Sequence, residues 1–157
     1  MSASLVVPTD EAMVALGRRL AGLLRAGDLV VLSGGLGAGK TTLTRGIGEG
    51  LGVRGEVTSP TFVIARAHPS TSGGPDLVHV DAYRLGGLDE VDDLDLDSSL
   101  AESVTVVEWG EGRVESLAQD RLEVRIERPR GDAEGDERRV ELTGVGERWR
   151  DALGVLA

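Results

Sequence analysis

Lys40 is the only lysine among the 157 residues of this chain; every other basic side chain is arginine, and asparagine is absent altogether. Codon pressure accounts for a bias of that kind. A lysine that persists under it marks a position where a compact ammonium does what a planar guanidinium cannot. Lys40 lies at the end of Gly34-Gly35-Leu36-Gly37-Ala38-Gly39-Lys40-Thr41, which is glycine, any four residues, glycine, lysine and a hydroxyl residue. In such a run the glycines let the backbone turn tightly and aim its N–H groups inward, making a concave nest for phosphate oxygens. The lysine reaches the β- and γ-phosphates, and the hydroxyl that follows it, here Thr41, is a Mg2+ ligand. These residues are suited to holding a nucleoside triphosphate together with its metal. The competing reading is a chance glycine turn in a chain that has 23 glycines.

The elements around the run decide between the two. Leu29 to Leu32 is a short unbroken apolar stretch, the signature of a strand buried on both faces of a parallel sheet. After Thr41, the residues Leu43, Ile47 and Leu51 share one helical face before Gly52. A strand, a glycine turn and a helix in that order open an α/β fold, and the helix N-terminus adds partial positive charge to the nest. Upstream, Thr9 with Asp10 and Glu11 reads as a helix start. Met13, Leu16, Leu20, Leu23 and Leu24 then recur at helical spacing, with Gly27 as the stop. Downstream, Phe62 to Ala67, Leu77 to Val80 and Val104 to Val107 read as strands. Leu122 to Glu127 and Arg138 to Leu142 alternate apolar with charged residues, as a hairpin with one solvated face does, and Pro129 to Asp136 is its turn. Glu147 to Leu156 reads as a closing helix with Trp149, Leu153 and Leu156 on one side. The expected architecture is a single α/β P-loop domain over residues 1–157. It has a mixed, mostly parallel sheet flanked by helices, with a C-terminal hairpin and a closing helix. The Leu32-Ser33-Gly34-Gly35 stretch resembles a transporter-ATPase signature but overlaps the phosphate loop, so it is not a separate element.

A P-loop enzyme also needs an acid at the end of a neighbouring strand to hold Mg2+ or its waters. Asp81 ends Leu77-Val78-His79-Val80 and Glu108 ends Val104-Thr105-Val106-Val107, and both are candidates, since ligands of open α/β sheets collect at the carboxyl ends of strands. Spacing alone leaves open which of the two touches the metal. ATP is favoured over GTP: the guanine-reading element of common GTPases, asparagine or threonine followed by lysine, any residue and aspartate, cannot be built without asparagine and with the one lysine committed. His79, inside an apolar strand, reads as a satisfied core histidine. The acidic stretch from Asp89 to Asp97 reads as a solvated face, because an EF-hand loop counted from Asp93 would put Ser98 where glycine is required and Val104 where glutamate is. Phe62, Tyr83 and Trp109, three of the four aromatics, adjoin the candidate site segments.

Composition narrows the partners. A formal charge of −10 argues against a chain that grips a nucleic-acid backbone unaided, which requires clustered lysine and arginine. Without cysteine there is no disulfide framework, thiolate metal site or cysteine nucleophile. No basic segment leads an apolar one at the start, and no apolar run nears the roughly 20 residues that cross a bilayer. The expectation is a soluble, cytoplasmic protein that does not engage a membrane.

Assembled in this way, the chain resembles the TsaE (YjeE) family, small bacterial ATPases of tRNA threonylcarbamoyladenosine (t6A) synthesis. The resemblance rests on Leu36-Gly37-Ala38-Gly39-Lys40-Thr41-Thr42, Val57-Thr58-Ser59-Pro60-Thr61-Phe62, His79-Val80-Asp81-Ala82-Tyr83-Arg84-Leu85 and Val107-Glu108-Trp109. It implies a domain that binds MgATP and acts with the TsaB–TsaD pair, which transfers threonylcarbamoyl to adenosine 37 of tRNA, so that tRNA is met only within the complex. By the same resemblance, Gly37 to Thr42 match the phosphate cradle, which Gly34 opens. Thr58 to Thr61 match a switch-like loop near the γ-phosphate. Thr41 and Glu108 match the Mg2+ ligands, Asp81 an acid near the metal and attacking water, and Trp109 a position beside the nucleotide or the partner surface. Asp10, Glu11 and Arg139 lie in the regions that family members use around the base. Gly35 stands where the family usually has aspartate.

The expected catalytic residues are Lys40, Asp81 and Glu108, with Arg84 and Arg66 as the nearby arginines suited to reach a γ-phosphate. If neither does so in the free chain, hydrolysis is slow alone and rises with partners. A small-molecule P-loop kinase is the alternative enzyme, with Arg125, Arg128 and Arg130 as its only clustered lid arginines. A nucleotide-gated binding module without turnover is the alternative outside enzymes.

Overall fold

The computed structural model describes residues 2–34, 39–53, 65–71, 73–81, 103–108, 120–127 and 138–149; of Ser2, residues 65–67 and Asp81 it describes the backbone. The elements, in chain order, are β1 (Ser2–Val7), α1 (Asp10–Ala21), β2 (Leu29–Gly34), α2 (Lys40–Leu51), β3 (Ala65–His68), β4 (Asp76–Asp81), β5 (Ser103–Glu108), β6 (Arg121–Glu127), β7 (Arg138–Val145) and a 3-10 turn at Glu147–Trp149. The seven strands form one sheet in the order β1-β7-β6-β2-β5-β4-β3. β6, β2, β5 and β4 run parallel, while β3, β7 and β1 are added antiparallel at the two sides. The mixed, mostly parallel α/β sheet is as the sequence predicts.

The apolar patterns explain the layering. Along each central strand alternate residues face the two helices: Val30 and Leu32, Val104 and Val106, Leu122, Val124 and Ile126, Val140 and Leu142 all join the core that holds Met13, Leu16 and Leu20 of α1 and Leu43 and Ile47 of α2. On the opposite face Leu29, Val31, Val80 and Val107 are buried too. β5 is accordingly buried at every position, with valines on both of its faces. β6 and β7 instead turn Arg125, Glu127, Arg139 and Glu141 to solvent, and the hairpin register sets Arg125 opposite Glu141 and Glu127 opposite Arg139. Opposite charges facing each other across strands favour that register, by about 0.2–1 kcal/mol per pair.

Two elements differ from the sequence reading. β1 is an edge strand that carries no strong apolar signal. α1 ends at Ala21, before Gly27, because the backbone turns at Gly22 and Asp28 then accepts a hydrogen bond from the Arg25 N–H at 2.8 Å. Leu24 leaves the helix yet still packs in the core. Of the expected closing helix, Glu147–Trp149 form a 3-10 turn, and residues 150–157 lie outside the described residues. Trp149 is the largest fully buried side chain among those described. Arg148 beside it reaches back to Asp28 through two hydrogen bonds, Nε to Oδ1 at 3.1 Å and Nη2 to Oδ2 at 2.9 Å, and its guanidinium lies 4.4 Å from the Trp149 ring centroid.

Candidate functional site

The carboxyl ends of β2, β4 and β5 lie side by side, with Leu32 registered on Glu108 and Glu108 on Asp81. α2 starts beside them. Its N-cap is Gly39, at φ 114°, a left-handed conformation that a side chain rarely tolerates. A Cβ there would also sit 3.3 Å from Cε of Met13, so α1 packs directly under the start of α2. α1 carries Asp10 and Glu11 in its first turn and a Thr9 side-chain cap, whereas the first turn of α2 has no acid and no side-chain cap. The partial positive charge at the start of α2 is therefore not met by acidic side chains of its own first turn, as anion binding requires.

Lys40 opens α2 and is only 6% exposed. Its ammonium donates to the carbonyl oxygen of Gly34 at 2.9 Å, joining the end of β2 to the start of α2 across the loop. Its carbonyl accepts from the Thr44 hydroxyl at 2.8 Å. Thr41, one residue on, donates to Glu108 Oε1 at 3.3 Å. Glu108 is 5% exposed, and its second oxygen, Oε2, lies 2.7 Å from Nε2 of a fully buried His79. A threonine hydroxyl and a glutamate oxygen converging at a helix N-terminus are hard oxygen donors of the kind Mg2+ takes, with phosphate and water completing its shell. These two residues fit the metal that the loop pattern implies.

The structure thus brings together Gly34, Gly39, Lys40, Thr41 and Glu108, and places Thr42 in the first turn of α2 and the Asp81 backbone beside Glu108. Gly37, Ala38, Thr58 to Phe62, Tyr83, Arg84, Trp109 and the stretch from Asp89 to Asp97 lie outside the described residues. Arg66 is on β3, its backbone registered on His79. Asp10 and Glu11 begin α1 just after β1, and Arg139 is registered on Val6, so all three belong to the sheet edge from which α2 also starts. Arg125 lies within β6, exposed and ion-paired with Glu127 at 2.9 Å, a strand position rather than a lid. His79 is buried as expected, but its partner is the candidate metal-site acid, and Nδ1 has no hydrogen-bond partner among the described residues. That link was hidden in the sequence, where His79 and Glu108 stand 29 residues apart.

The sequence model of the family described as "Threonylcarbamoyl adenosine biosynthesis protein TsaE" matches residues 7–140. The chain belongs to the TsaE family. It is 72% identical to the tRNA threonylcarbamoyladenosine biosynthesis protein TsaE of Streptomyces coelicolor, over 90% of this chain and 97% of that protein. It is 41% identical to the TsaE of Bacillus subtilis, over 88% and 84% of the two. The fold is similar to a crystal structure of Bacillus subtilis YdiB, with a TM-score of 0.77 and 34% identity over 99% of this chain and 94% of that one. As a TsaE, the chain carries the run from Gly34 to Thr41 within the matched residues, together with both strand-end acids. Among the described residues no helix is long and apolar enough to cross a membrane.

Proposed function

We propose that this TsaE binds MgATP and hydrolyses it in the cytoplasm, as the ATPase subunit that acts with a TsaB–TsaD pair in the threonylcarbamoyl modification of adenosine 37 in tRNA. The observation that carries the proposal is the convergence of Thr41 Oγ1 and Glu108 Oε1 at 3.3 Å beside Lys40, at the start of a helix with no acid in its first turn. Gly34, Gly37, Ala38, Gly39, Lys40, Thr41 and Thr42 form the phosphate cradle in this reading. Thr41 and Glu108 hold the metal.

Phosphoryl transfer asks the protein mainly for positioning and charge stabilisation. Lys40 holds the β- and γ-phosphates with the loop N–H groups, in place of the Gly34 carbonyl it meets in this structure. Asp81, at the sheet level of Glu108, orients the water that attacks the γ-phosphorus as the bond to the β-phosphate oxygen breaks. Thr41 and Glu108 would hold Mg2+, which would supply neutralisation of the phosphate charge. An arginine finger is worth about 10³–10⁵ in rate, so a chain whose own arginines stay clear of the γ-phosphate turns over slowly until a partner closes the site.

The test is ATP hydrolysis by the purified chain, alone and with a TsaB–TsaD pair, with Lys40→Ala as control. The expected result is slow turnover alone, stimulation by the pair and loss of both in the variant. Equal rates with and without the pair would overturn the partnership. Nucleotide binding with no turnover in either state, and full support of tRNA modification by Glu108→Gln, would instead identify a gated binding module.

A further inference from the structure

We propose that His79 is a positioning residue for the metal site: its Nε2–H fixes one oxygen of the Glu108 carboxylate inside the core so that the other is presented to Thr41 and the metal. The inference rests on the reading of Glu108 as a metal ligand. Nε2 of His79 and Oε2 of Glu108 are 2.7 Å apart, and the histidine is 0% exposed. The carboxylate can only accept, so the ring proton between them sits on Nε2. Nδ1 has no hydrogen-bond partner among the described residues.

Packing alone does not account for this histidine. The core residues on the same face of β4 and β5 are Leu77, Val104 and Val106, all aliphatic. An imidazole among them leaves one nitrogen without a hydrogen bond, a penalty an aliphatic side chain would avoid. What the imidazole adds is a donor to Glu108. A glutamate at the end of a strand has three rotatable bonds, and a single weak contact at 3.3 Å to the Thr41 hydroxyl does not fix its orientation. The bond from the core does. His79 and Glu108 are diagonal neighbours on adjacent parallel strands, since His79 is registered on Val106 and Glu108 lies two residues beyond. The sheet thus holds the donor at a constant height below the acid. A partner that orients a ligating carboxylate is worth about 10–100-fold in metal affinity or activity.

Binding of N-methylanthraniloyl-ADP to the full chain, followed by fluorescence in EDTA and across a MgCl2 series, tests this with His79→Leu, His79→Gln and the wild type. In His79→Leu the Mg2+ concentration for half-maximal enhancement should rise about 10–100-fold, while affinity in EDTA stays near wild type. His79→Gln, whose amide N–H can still donate, should restore most of the Mg2+ response. If leucine does not fold at this position, methionine supplies the donor-free variant. A wild-type Mg2+ midpoint in a folded His79→Leu, or equal loss in His79→Gln and His79→Leu, overturns the inference and leaves the proposed function intact. A wild-type chain that binds the nucleotide with no Mg2+ dependence overturns the metal-site reading itself, and the role of His79 with it.

Discussion

Glu108 meets three groups at once: the Thr41 hydroxyl, the His79 ring and, by register, the backbone of Asp81. Its charge is what the proposed metal needs, and its shape is what the hydrogen bonds need. Glu108→Gln keeps the shape and removes the charge. Mg2+-dependent hydrolysis should then fall by at least about tenfold, with nucleotide affinity in EDTA unchanged, as read by a coupled phosphate assay and a fluorescent-nucleotide titration. Thr41 separates in the same way: Thr41→Ser retains the hydroxyl and the Mg2+ response, and Thr41→Ala loses it. At this scale the sequence was legible where function is local. Lys40 and Thr41 stand in one run, and the loop pattern identifies them together. Asp81 and Glu108 were recognisable as strand ends, but their shared level depends on the pairing of β4 with β5. The bond from His79 depends on the same pairing, which no local pattern encodes.

The elements carry the site through close contact between α1 and α2. A Cβ on Gly46 would fall against the backbone of Val14, and one on Gly17 would lie 2.5 Å from the Leu43 carbonyl oxygen, so the two helices approach through bare backbone. The contacts advance together, from Met13 beside Gly39 to Arg18 ion-paired with Glu49 at 2.8 Å, and the helices run in the same direction from the same sheet edge. Gly46→Ala should force them apart and cost about 1–3 kcal/mol, read as a shifted midpoint in urea with an unchanged slope. The Arg18–Glu49 pair on the surface is worth far less, and Glu49→Ala should change stability by under about 1 kcal/mol. The helices and central strands were legible because apolar spacing is a local signal. β1 was not: Ala3, Leu5 and Val7 do alternate inward, but Ser2-Ala3-Ser4 contributes little apolar weight and Val6 faces solvent. Gly17 and Gly46 are packing positions, a role that only the neighbouring helix reveals.

Across the whole molecule, the sheet order joins distant parts of the chain, with β2 between β5 and β6 and β1 beside β7. Arg148 adds a second long connection, gripping Asp28 with two hydrogen bonds. Both side chains of that pair are largely buried, so Arg148→Ala leaves a carboxylate unpaired in a low-dielectric setting and should cost about 3 kcal/mol, measured by thermal or urea unfolding. Because the pair lies away from the Thr41–Glu108 pair, the variant's Mg2+ midpoint should be unchanged wherever it is folded. The pairing of β1 has a further consequence for the order in which the protein can be made. Its hydrogen-bonding partners are residues 138–143, so the first of these seven strands to be synthesised waits for the last of them. β2 also lacks one side of its pairing until β6 emerges. Contacts of such long sequence separation form late and slowly. A nascent chain halted before residue 138 should hold α1 and α2 against part of a sheet while Ser2–Val7 remains open to proteolysis, and lengthening it through β7 should close that segment in one step.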